Sequence, residues 1–194
     1  MKTIYFIFSD TGTWLSRAIK LFVSESLNHT SIAFDESLDE VYSFGRTRPK
    51  NPFLGGFVRE NIRGDLMRNA NCAVYAFNVS NEEYEEIRKN IKLIEESKSL
   101  YRYNFIGLLG VLFNIEINRQ YAFFCSQFVA YVTRDIASLT IEKPLCFATP
   151  ADIRNREGMH LIYRGKLGEY AAACRLHKSE ALTHIDEKKK VITI

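Results

Sequence analysis

The chain has 194 residues, nearly half of them apolar, and a net charge of +3 from 26 basic and 23 acidic side chains. That length suits one domain with a real core, and the mild charge, with no basic stripe interleaved with aromatics, excludes a nucleic-acid binder. The longest apolar run beyond the N-terminus, FIGLLGVLF at 105–113, falls far below the roughly 20 residues that cross a bilayer, which excludes a transmembrane helix.

The N-terminal MKTIYFIFSD carries one lysine and a short apolar run without a small-residue cleavage site. It reads as a buried strand over 2–9 rather than a signal peptide, and the chain is expected to be cytoplasmic, its thiols reduced. Residues 13–24 place Trp14, Leu15, Ala18, Ile19 and Phe22 at helical spacing behind Thr11 or Thr13 as cap. HTSIAFD at 29–35 and EVYSFGR at 40–46, joined by ESLD, predict an antiparallel hairpin. A loop punctuated by Pro49, Pro52, Gly55 and Gly56 is expected next, then strands at 56–61 and 72–80.

Residues 80–98 predict a helix opened by a Ser80/Glu83 capping box, with Tyr84, Ile87, Ile91 and Ile94 as its buried stripe. The segment 104–113 predicts a short buried helix. In AFFCSQFVAYV, Phe128, Val129, Val132 and Ile136 recur at helical spacing from Cys125, so the cysteine opens a helix. Thr149 and Pro150 supply a cap and first turn for another, and HLIYRG at 160–165 reads as a last strand. The polar region from about 166 looks peripheral to a single domain over 1–194, and EKKKVITI reads as a solvated tail.

Cys72, Cys125, Cys146 and Cys174 form no C-x-x-C pair, and no histidine stands at ligand spacing from them. A zinc site is not expected. A thiol reacts as thiolate, and a helix N-terminus or an adjacent imidazole lowers its pKa from about 8.5. Cys125 meets the first condition. No Ser, Thr, Asp or Asn immediately precedes it, so the first-turn N–H groups are open to a thiolate or an oxyanion. Read alone, it is either such a nucleophile or a buried space-filler. Of the four histidines, His177 and His184 lie in the polar C-terminal region, whereas His29 and His160 each begin a strand.

NHTSIAFDESLDEVYSFGR followed far downstream by FFCSQFVAYV resembles the permuted branch of the NlpC/P60 superfamily of papain-like cysteine hydrolases, in which the histidine strand precedes the cysteine helix. YSFGR and GGFVRE also resemble bacterial relatives of that branch. The resemblance implies an α+β, circularly permuted papain-like fold, with an antiparallel sheet packed on helices that include the cysteine helix. It makes Cys125 the nucleophile and His29 the general base. The family's third residue, a polar group orienting the histidine, falls on the partner strand, where Tyr42 and Ser43 stand. Ser43, a small polar residue able to accept from an imidazole N–H, is the first candidate, and the Glu60 carboxylate of the next strand is the alternative.

The chemistry that this resemblance implies is acyl transfer from an amide, ester or thioester through an acyl thioester, with no metal or organic cofactor required. A peptidase or amidase on a peptide or amide substrate is the first expectation. A lipid-ester acyltransferase or thioesterase, and a binding module that has lost its chemistry, are the alternatives.

Overall fold

The computed structural model describes residues 1–10, 26–48 and 51–176. The helix expected over 13–24, together with His177, His184 and EKKKVITI, lies outside them. The described chain is mixed α+β. Its strands are β1 (Lys2–Asp10), β2 (His29–Ala33), β3 (Val41–Arg48), β4 (Asn51–Arg59), β5 (Asn71–Val79), β6 (Arg102–Tyr103), β7 (Ala122–Phe123) and β8 (His160–Lys166). Its helices are α1 (Asp65–Arg68), α2 (Asn81–Glu96), α3 (Phe105–Phe113), α4 (Cys125–Val132), α5 (Pro150–Arg154) and α6, residues 167–176.

Six strands pair antiparallel in the order β4-β3-β2-β1-β5-β8, while β6 and β7 form a separate parallel pair. The central strand β1 is largely buried, as its apolar run requires. One core joins Phe6, Phe8, Ile32, Phe44 and Phe57 of the sheet to Ile87 and Ile91 of α2 and Phe128 and Val129 of α4. A second joins Ile7, Ala33, Val41 and Val74 to Leu38, Ile62 and Met67. Local signals set the helix ends where expected: Ser80 and Glu83 cap α2 reciprocally, and Thr149 with Asp152 does the same for α5, whose first residue is Pro150.

Three expectations are corrected. The Pro/Gly loop is almost absent, because β3 runs to Arg48 and β4 begins at Asn51, with Gly45 paired to Gly56 and Arg46 to Gly55. As an edge strand, β4 tolerates Pro52, and Gly55 admits Tyr103, whose Cβ would stand 2.7 Å from a Cβ built at that glycine. The region after 166 is not peripheral throughout, since α6 buries Leu167, Tyr170 and Ala171 in the second core. Finally α3 forms over 105–113 but is not buried: Ile106, Leu109 and Phe113 face outward.

Candidate active site

Cys125 is the first residue of α4, and the β6–β7 pair puts it there. The Arg102 N–H donates to the Tyr121 carbonyl and the Asn104 N–H to the Phe123 carbonyl, both at 2.9 Å, so the chain arrives at Phe124 extended and then turns into the helix. Both ends of α4 are tied down. Ser126 Oγ donates to the Ala148 carbonyl at 2.7 Å, and Asn90 Nδ2 donates to the Val132 carbonyl at 3.1 Å. Between them the Phe128 ring lies 5.2 Å from Phe44 and 5.8 Å from Phe57, contacts each worth about 0.5–1.5 kcal/mol beyond the area they bury. The helix cannot shift along the sheet without breaking these contacts, so the thiol is held in place.

The sulfur meets the first residues of β2. Cys125 Sγ donates to the Asn28 carbonyl at 3.8 Å, and the N–H groups of Thr30 and Ser126 point at it. His29 is near enough that its charge and side-chain hydrogen bonding favour the thiolate. The other side of the imidazole is occupied, because His29 Nε2 stands 2.6 Å from Glu60 Oε1. That leaves Nδ1 as the imidazole nitrogen available to the thiol.

Glu60 follows the last residue of β4 and is anchored by its own N–H, which donates to the Val41 carbonyl at 2.9 Å. Ser43 Oγ donates to Oε1 at 2.5 Å and Ser31 Oγ to Oε2 at 3.0 Å. Both carboxylate oxygens are therefore fixed by hydroxyls while one of them holds the imidazole.

The charges reinforce one another. Burial pushes the His29 pKa down, but the Glu60 carboxylate and the hydrogen bonds to Cys125 and Glu60 outweigh it and raise the value to about 10. Burial likewise pushes Glu60 up, and the His29 charge with the His29, Ser43 and Ser31 hydrogen bonds holds it below its ordinary value. For Cys125 burial again opposes ionisation, and the hydrogen bond and charge of His29, helped by the Thr30 and Ser126 N–H groups, lower the thiol below its ordinary value. Burial has no such opponent at Cys72, which is raised to about 11; Cys146 and Cys174 are raised as well, burial being the main cause. All four are free thiols, and Cys125 is the one whose pKa is lowered.

Cys125, His29, Ser43 and Glu60, the candidates read from sequence, thus come together at one place. The first choice for the imidazole's partner is corrected: Glu60, not Ser43, touches His29 directly, and Ser43 acts on it through Glu60. The strand-starting alternative, His160, is exposed on β8 and pairs with Ala76. From His29 it is three strands across and four residues along, about 14 Å by about 13 Å at ordinary strand spacings.

Two neighbours were not foreseen. Ser31 sits two residues after His29 on the same side of β2, and a hydroxyl at that alternation was the available signal. Tyr103 of β6 lies near the sulfur. Burial first, and the Cys125 charge second, hold its phenol well above the usual range, so it stays a donor. No family model matches this chain, and no curated protein or solved structure matches it either.

Proposed function

We propose that this chain is a cysteine hydrolase, a peptidase or amidase, on a circularly permuted papain-like fold of the NlpC/P60 type. The observation that carries the reading is His29 standing between Cys125 and Glu60, the geometry of a nucleophile, a base and an orienting residue. The chain order supports the permutation, since the His29 strand precedes the Cys125 helix.

In the first step the Cys125 thiolate attacks the substrate carbonyl, forming a C–S bond and an oxyanion that the Cys125 N–H at the uncapped helix start is placed to bind. The imidazolium of His29 gives its proton to the leaving nitrogen as the C–N bond breaks. Water then loses a proton to His29 and attacks the thioester, releasing the acid and the thiolate. Glu60 keeps the imidazole oriented and favours its charged form throughout. Ser31 and Ser43 position Glu60.

An outward apolar face on α3 favours a second reading, in which the acyl group comes from a lipid ester. Helix α3 adjoins the site through Asn104, whose Oδ1 accepts from the Gly107 N–H and whose Nδ2 donates to Gln127 Oε1 on α4 at 3.5 Å.

Incubation with a short-chain p-nitrophenyl ester and with a peptide p-nitroanilide tests the proposal. The expected result is a release burst with the acyl mass on the Cys125 peptide, both lost in Cys125→Ala. Acyl mass spread equally over Cys72 and Cys174, or none on Cys125, would leave a binding module without chemistry.

A further inference from the structure

The outward residues of α3 form one continuous patch. Ile106, Leu109 and Phe113 stand at i, i+3 and i+7 on one helix face, and Ile115 joins them, all four being 52–68% exposed. The chain returns tightly after the helix: Asn114 is left-handed with φ of 53°, the Ile115 N–H donates to the Gly110 carbonyl at 2.9 Å, and a Cβ at Gly110 would come within 2.6 Å of the Ile115 carbonyl oxygen. This reversal brings Ile115 back beside the helix end. Four large apolar side chains exposed on one short element are unusual on the surface of a soluble domain.

The charges around the patch indicate its occupant. The segments that bracket α3 carry Lys98, Arg102 and Arg119, all exposed, against Glu116 alone over 98–121. A second copy meeting this face about a two-fold axis would set these cations against their own images. An anionic lipid surface would attract them while its acyl boundary receives the apolar side chains. Exposed Tyr121, which precedes β7, supplies an aromatic residue of the kind that sits at headgroup level.

We infer that the α3 face, Ile106, Leu109, Phe113 and Ile115 with its cationic flanks, docks this protein on the surface of an anionic phospholipid bilayer. The protein lies on the membrane without crossing it; among the described residues no helix is long and apolar enough to span one. Through Asn104 and Gln127 the docked helix is tied to α4, so docking would bring the Cys125 site to the lipid boundary. The inference goes beyond the hydrolase reading and stands without it.

The test is flotation of the full chain with vesicles of phosphatidylglycerol and phosphatidylcholine mixed, and of phosphatidylcholine alone. We expect recovery with the mixed vesicles, falling as salt rises and undiminished in Cys125→Ala. The double substitution Leu109→Glu/Phe113→Glu should weaken partitioning at least tenfold with an unchanged circular-dichroism melt, and Ile106→Glu alone should weaken it in the same direction. Failure to float with either vesicle, or equal recovery with both, would overturn the inference. So would a lipid-free dimer that Leu109→Glu/Phe113→Glu dissociates, since the occupant would then be a second copy.

Discussion

His29→Ala is expected to abolish the enhanced reactivity of Cys125, whereas His160→Ala leaves it unchanged. Without the imidazolium the thiol loses the charge and hydrogen bond that overcome its burial. An unassisted thiol of pKa about 8.5 is only about 0.3% thiolate at pH 6. The more basic thiolate is intrinsically more nucleophilic, with a Brønsted slope of about 0.4–0.5, which returns part of that loss. The net fall in alkylation rate at pH 6 is therefore on the order of tenfold or more, lessened by whatever the Thr30 and Ser126 N–H groups still contribute. His160, across the sheet on β8, touches none of these groups. An effect of His160→Ala matching that of His29→Ala would remove His29 from the site.

Replacing Glu60 tests the other half of the pair. Glu60→Ala leaves a buried imidazolium without its partner and two hydroxyls without an acceptor, and breaking such a pair costs about 3–5 kcal/mol. Glu60→Gln keeps an acceptor for Ser31 and Ser43 and costs less, but removes the charge that raises His29. The pH dependence carries the sign. His29 has a folded pKa of about 10 against an ordinary 6.5, so its stabilisation is complete below pH 6.5 and fades as pH rises toward about 10.

Glu60 is depressed below its ordinary 4.5, so its stabilisation is present above about pH 4.5 and lost as pH falls through the folded value. The stability gap between the native chain and Glu60→Gln, measured by urea unfolding, is thus expected to be widest between about pH 4.5 and 6.5 and to narrow toward pH 10. A gap that stays constant from pH 5 to pH 10 would mean that Glu60 acts by packing and not by charge.

What could be read from the sequence was what local chemistry decides. The box at Ser80 and the cap at Thr149 bind their own first turns, and the Cys125 helix starts where its apolar stripe starts. Those signals need no partner elsewhere in the chain. The third residue behaved differently. Whether Ser43 or Glu60 reaches His29 depends on the register of three strands, set by pairs such as Ile32 with Tyr42 and by the Glu60 N–H on Val41, and neither short segment encodes that register alone.

The outward face of α3 was hidden for a related reason, because FIGLLGVLF is apolar all round and has no period to say which side is wet. Edge pairing overrode the turn signals at Pro52 and Gly55. In α6 the spacing of Leu167, Tyr170 and Ala171 at i, i+3 and i+4 was present, but the polar residues that follow from 177 dominate the composition of the whole region.

The central claim is that Cys125 alone among the four thiols is shifted toward its thiolate, because His29 and Glu60 hold a charge beside it. The measurement that bears on it most directly is iodoacetamide alkylation of the native chain from pH 5 to pH 9, with each cysteine followed by peptide mass mapping. The account predicts that Cys125 alkylates at pH 6 while Cys72, Cys146 and Cys174 await alkaline pH, in line with their opposite shifts. Uniform slow labelling of all four, rising together only above pH 8, would contradict it.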